Sequence, residues 1–206
     1  MRFIEFDLSS DALCMGERTK GGLFRPCDKK TIRYSQISGA LRKKFGEDEI
    51  HAAGYLVEGN GYNKTDYFIY SPRDKARAIS KVPLQIEFLT NVHGKVYVLE
   101  NEFTAKNLPD KFDIFMGALI SKGLGLCTLT KRKFAEDKPV ALGTLKTRIP
   151  LNKLYVFGIE ESNIKKPVYG YLFEPTSLTS GVYVKSLFEG SEVVAPEFLI
   201  SPREGR

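Results

Sequence analysis

The sequence predicts an α+β fold: a ferredoxin-like βαββαβ unit with an inserted β-hairpin and a β-rich C-terminal extension. Three observations carry that prediction. Ile4, Phe6 and Leu8 alternate with Phe3, Glu5 and Asp7, the period of a first strand. Ile37, Ala40, Leu41 and Phe45 then recur at i, i+3, i+4 and i+8, one face of a helix. Leu84, Ile86 and Phe88 alternate again, Asn91–Gly94 has turn chemistry, and Val96 and Val98 alternate on the return, which reads as a hairpin.

The remaining elements follow in order. Between the first strand and the first helix, Met15–Lys30 is glycine-rich and basic, and long enough to be a functional loop. Ser35 is placed to cap the helix start and Gly46 to end it, with Arg42, Lys43 and Lys44 in the last turn, where the helix dipole favours cations. His51–Glu58 and Asp66–Tyr70 read as the second and third strands, and a basic segment, Ser71–Lys81, leads to the hairpin. A short amphipathic run (Ile114, Phe115, Ala118, Leu119) predicts a second helix near Phe112–Lys122, and Leu124–Thr130 predicts the strand after it. Phe134–Pro139 reads as a linker. Beyond it, Leu154–Ile159, Val168–Phe173 and Val182–Phe188 are strand candidates. The expected division is 1–133 as a ferredoxin-like domain and 134–206 as a β-rich subdomain or extension.

Composition narrows the function. With 206 residues, 42% of them hydrophobic, the chain can bury a real core, so wholesale disorder is excluded. Thirty-one Lys and Arg against 25 acidic residues leave +6, a balance that fits a polyanionic partner. Three cysteines form no CxxC pair and two histidines stand far apart, so no metal site is expected. No run approaches the roughly 18 apolar residues of a membrane-spanning helix, and the N-terminus lacks a signal-peptide pattern. A cytoplasmic protein with no cofactor is expected. Hydrolase and nucleotide-loop signatures such as GxSxG, HExxH and the Walker motif are absent. A Rossmann reading of the glycines fails, because Gly123-Leu-Gly125 is predicted to follow a helix and precede a strand, the reverse of that motif.

The stretch Asp113–Lys133 has the most distinctive chemistry. Gly117, Gly123 and Gly125 permit positive φ and close backbone approach. Their amides, beside Lys122 and the cluster Lys131, Arg132 and Lys133, suit a phosphate chain; a C-cap glycine and a tight turn into a strand would give the same spacing.

Three segments together resemble the CRISPR-associated RAMP superfamily. RYSQISGALRKKFG resembles that superfamily's start of the first helix, GALISKGLGLCTL its glycine-rich loop, and SGVYVKSLFEGS the closing segment of the larger subunits that hold the 5′ handle of the guide RNA. The resemblance implies an RRM-like, RNA-binding subunit of a type I or type III effector complex, with CRISPR RNA and other RAMP-like and large subunits as partners. It places Gly117, Lys122, Gly123 and Gly125 against the RNA backbone, and gives Leu84–Leu99 the role of a thumb between guide and target. Lys131, Arg132, Lys133 and the helix-end residues Arg42, Lys43 and Lys44 are the further expected contacts, with Tyr62 and Tyr67 as stacking residues. The chain departs from the pattern in its shortness, in ISKG where a basic pair is common, and in lacking a proline at the helix start.

Some members of that superfamily cleave RNA. Metal-free cleavage needs a general base at the 2′-hydroxyl, and His51, with Tyr34 and Lys43 as assistants, is the candidate catalytic residue. Target-cutting relatives use an aspartate after the first strand, where Asp7, Asp11 and Asp28 lie and Asp11 is best placed. The sequence reading therefore carries a non-catalytic guide-RNA-binding and scaffolding subunit, with a repeat-processing endoribonuclease as the alternative.

Overall fold

The computed structural model describes residues 1–16, 23–59, 61–74, 76–77, 79–137, 139–176 and 180–202. The side chains of residues 74, 80, 133–137, 175 and 202 lie outside that description, as do Arg18, Lys20, Gly21 and Gly22 of the basic loop and Lys75 of the basic segment.

The first strand, β1 (Arg2–Leu13), forms as its alternation requires, and both of its faces are buried. Ile4, Phe6 and Leu8 enter one hydrophobic cluster, while Phe3 enters a second with Phe157 and Phe198. Helix α1 (Tyr34–Phe45) buries Ile37 and Leu41 against the first cluster and ends at Gly46, φ +68°. Its N-cap is Arg33 rather than Ser35, with no capping side chain. The Tyr34 amide instead donates to the Arg148 carbonyl at 3.1 Å, so the helix start is pinned from the C-terminal half of the chain.

Next come β2 (Ala52–Leu56), β3 (Lys64–Tyr70) and β4 (Leu84–Leu99). The predicted Leu84–Leu99 hairpin is one continuous 16-residue strand. Asn91 does take positive φ, +50°, but the strand runs on because partners hold it on both sides. On one side β3 pairs with Leu84–Thr90 and β2 with Gly94–Val98; on the other, β1 pairs with Leu89–Leu99. The hairpin-like arm of the molecule is therefore β3 with the first half of β4. His93, read as a turn residue, sits mid-strand.

The predicted second helix is likewise replaced. Lys111–Phe115 forms strand β5, burying Phe112 and Ile114 and exposing its odd-numbered residues. The amphipathic spacing at 114–119 fits a helix, but the period-two pattern Phe112, Ile114, Met116 wins because β6 (Leu126–Asp137) pairs beside it. The second helix, α2 (Glu102–Asn107), lies earlier and is fixed by a capping box: Asn101 Oδ1 accepts from the Thr104 amide and Thr104 Oγ1 from the Asn101 amide, both at 2.8 Å. Phe134–Pro139 is no linker, since β6 stays paired with β1 as far as Asp137.

The main sheet runs Thr31–Ile32, β2, β4, β1, β6, β5, with Phe24–Arg25 and β3 also on β4; this makes eight strands among the described residues. The chain is thus α+β, dominated by antiparallel strands, with few helices. Strand β7 (Val140–Leu145) starts the C-terminal half. Predicted strand Leu154–Ile159 is instead a 3-10 turn, Leu151–Phe157, that buries Leu154, Val156 and Phe157. Strands β8 (Tyr169–Pro175) and β9 (Gly181–Leu187) form where alternation placed them, and β10 (Glu192–Pro196) pairs with β7. Phe198 stacks on Tyr97 with ring centroids 4.1 Å apart and meets Phe3 edge-on at 4.9 Å. Each such buried ring stabilises by about 1.5–3 kcal/mol, so this half is welded to the sheet face opposite α1.

Candidate functional site

The glycine-rich stretch is a tight, internally bonded turn between β5 and β6. Gly117, Leu119, Gly123 and Gly125 all take positive φ, between +61° and +88°. A Cβ on Gly117 would lie 2.6 Å from the Cys14 carbonyl oxygen, and one on Gly125 would overlap the Met116 carbonyl. Around Gly123 the space is open. These glycines therefore do different things: Gly117 and Gly125 let the turn lie flush on the end of β1, and Gly123 is at the surface.

The amides correct the expected mode of phosphate contact. Ala118 N–H donates to Cys14 O (2.7 Å), Gly125 N–H to Ala12 O (2.8 Å) and Gly123 N–H to Ile120 O (3.1 Å). Those donors hold the turn in place and are spent inside the protein. What the turn offers outward is Lys122, exposed, with its ammonium 5.0 Å from the centroid of the Tyr70 ring. Tyr70 ends β3 opposite Leu84, so the turn meets the far end of the arm, where β4 begins.

The other expected contacts do not converge there. Arg42 turns inward: its Nε donates to Ile50 O (2.9 Å) and its Nη2 to Tyr34 Oη (2.8 Å), leaving Lys43 and Lys44 as the exposed cations of that helix end. Lys131 and Arg132 point to opposite faces, as neighbours on a strand must. Lys131 Nζ bonds Leu108 O (3.1 Å) and Asp110 (2.9 Å), and Arg132 pairs with Asp7 at 2.9 Å. The Lys133 side chain lies outside the described residues. Lys131 stands opposite Phe6, roughly 20 Å along β1 from the glycine turn. Tyr67 gives its hydroxyl to Glu87 (3.1 Å), and Tyr62 packs on the His93 ring at 4.1 Å; both keep close to half their surface exposed. Asp11 is exposed on β1, while Asp28 is buried in an ion-pair cluster.

His51 is buried, and the geometry fixes its tautomer. Arg42 Nη2 lies 3.0 Å from Nδ1, and a guanidinium only donates, so Nδ1 is the acceptor. Tyr34 Oη, at 2.6 Å, faces the same nitrogen. The ring proton is therefore on Nε2, aimed at Glu49 at 3.4 Å. Both nitrogens are engaged within the protein, which leaves no lone pair for a substrate hydroxyl. Burial, reinforced by the charges of Arg42 and Lys153, holds the imidazole below its ordinary value against the opposing bond to Glu49. The unfolded chain then binds the proton first, so the stability that neutral His51 contributes is present above about pH 6.5 and is lost as pH falls through the lower folded value. Urea melts between pH 7.5 and 5 are expected to show this decline, and a His51→Gln variant to flatten it. An unchanged slope in the variant would remove His51 as the cause.

No family model matches the chain, and no curated protein matches it. Solved structures do. A chain of the type III-B Cmr-beta complex bound to cognate target RNA and AMPPnP superposes with a TM-score of 0.57 at 11% identity, covering 94% of this chain and 86% of that one. The same complex with cognate target RNA alone gives 0.56 at 11% identity over 92% and 86%. A chain of a CRISPR RNA-guided surveillance complex gives 0.51 at 14% identity over 98% and 95%. Among the described residues no helix is long and apolar enough to cross a membrane. By backbone architecture, then, this chain has the fold of subunits found in CRISPR effector complexes.

Proposed function

We propose that the chain is a non-catalytic guide-RNA-binding and scaffolding subunit of a type I or type III CRISPR effector complex. In this reading the order β2–β4–β1–β6, with helices after β1 and after β4, is a ferredoxin-like core. Residues 134–206 brace it as an extension that touches neighbouring RAMP-like and large subunits. The observation that carries the proposal is Lys122. It stands exposed on a turn whose glycines seat it against the rim of the sheet, next to the Tyr70 ring at the far end of the arm. That juxtaposition offers a backbone phosphate a cation and a base a stacking face. Lys43 and Lys44 supply a second, separate phosphate contact. The arm, β3 with Leu84–Thr90, takes the thumb's role in place of the hairpin expected at Leu84–Leu99. His51, the base an endoribonuclease would need, has both nitrogens engaged, so binding is favoured over cleavage.

The test is the salt dependence of binding to a CRISPR repeat RNA. Affinity is expected to fall steeply with salt, and Lys122→Ala to lower the slope of log K against log salt by about 0.7, one phosphate's share on a single strand. Binding no tighter than that of an unrelated protein of equal charge, with Lys122→Ala silent, would defeat the proposal.

A further inference from the structure

The hairpin β8–β9 carries an aromatic strip that neither the glycine turn nor the arm accounts for. Tyr169, Tyr171 and Phe173 alternate along β8 and so share one face. In the antiparallel register Tyr171 stands opposite Lys185 and Phe173 opposite Tyr183. All four rings are exposed, Tyr171 to 65% and Phe173 to 51%. Single exposed apolar residues are ordinary, but four rings in one register form a patch that asks for an occupant.

The rings are held rather than loose. Phe173 meets Tyr183 edge-on at 5.5 Å, and it lies across Gly181, where any Cβ would collide with the ring. The Lys185 ammonium sits 4.3 Å from the Tyr169 centroid. Successive rings on β8 are two residues apart, about 6.6 Å, a step over which bases of an extended strand can lie one to a ring. The charge in the strip chooses among partners. Desolvated protein–protein interface cores are depleted in lysine, whereas a nucleic acid brings a phosphate to every base. Lys185 lies within the strip itself; Lys166, largely exposed and 3.7 Å from Glu192, lies three residues before Tyr169.

We infer that this strip is a second RNA surface, a sequence-tolerant stacking platform for single-stranded RNA with Lys185 neutralising the adjoining phosphate. It rests on the RNA-binding reading above and extends it to residues on a different sheet. Base–aromatic stacking of this kind tolerates any base because every base has a π-face.

Titration of labelled oligoadenylate, by fluorescence anisotropy at several salt concentrations, tests it. Tyr171→Ala/Phe173→Ala is expected to weaken binding at least about tenfold, a stacking loss, with the salt slope unchanged because no charge is removed. Tyr171→Phe, which keeps the ring, is expected to bind like wild type. Should the double variant melt early, Tyr171→Ala alone decides, since that ring is the most exposed of the four. Wild-type affinity in the ring-deleted variants, beside a weakened Lys122→Ala, overturns this inference and leaves the earlier reading intact. A loss of self-association or of a protein partner without loss of RNA binding also overturns it. No RNA affinity in the wild-type chain overturns both.

Discussion

Gly125→Ala is expected to destabilise the protein by about 3–5 kcal/mol, while Gly123→Ala, two residues away, costs about 1–2 kcal/mol. Both glycines have φ close to +88°, so the conformational penalty for adding a Cβ is shared. The surroundings are not. At Gly123 the new methyl enters open space; at Gly125 it runs into the Met116 carbonyl, which cannot retreat because the Met116 amide is bonded to Gly125 O at 2.9 Å. Relief would pull the turn from β1 and break the Gly125–Ala12 bond, stranding buried backbone groups. Urea unfolding of the two variants beside wild type measures the difference. Equal losses would mean that the turn is free to shift and does not grip the end of β1.

Asp28→Ala is expected to cost a similar amount, about 3–5 kcal/mol, because it strips the common partner from buried cations. The Asp28 carboxylate accepts from the amides of Lys30 (3.1 Å) and Thr31 (3.0 Å) and from the Thr31 hydroxyl. It also lies 3.4 Å from Arg33 and 3.6 Å from Arg148, whose side chains are each 13% exposed. Arg148 is held in turn by Glu189, at 2.6 Å from Nε and 2.5 Å from Nη2. The cluster ties the segment before α1 to the C-terminal half, so its loss should lower the melting temperature of the whole chain. Removing the exposed Glu102–Lys106 pair, at 2.9 Å on α2, is the control and should leave the melt unchanged. A near-neutral Asp28→Ala would show that water replaces the carboxylate and that the cluster is not sealed.

How much of this was legible in the sequence depended on whether local pattern and long-range pairing agreed. They agreed for β1, α1 and its Gly46 terminus, β3, β8 and β9. They disagreed at Asn91–Gly94, where turn-forming residues are overruled by strands on both flanks of β4, and at Phe112–Lys122, where a plausible helical face yields to pairing with β6. Phe3 belongs to a second core that no alternation within β1 could announce. The special conformation of the glycines was readable, but which of them pack and which face outward was not, since that depends on the carbonyls of Cys14 and Met116. The triplet Lys131–Lys133 reads as one patch along the sequence, yet a strand sends neighbours to opposite sides. Arg42 looked like a free cation because nothing local reveals the Ile50 carbonyl and Tyr34 hydroxyl that claim it.

Strand β4 begins in the arm and finishes beneath Phe198, about 50 Å of continuous strand. Its backbone departs from strand geometry at Asn91, φ +50°, between the residues that pair with β3 and those that pair with β2. The same peptide chain therefore carries both the arm and the Tyr97 ring on which the C-terminal half is anchored, with Asn91 between them.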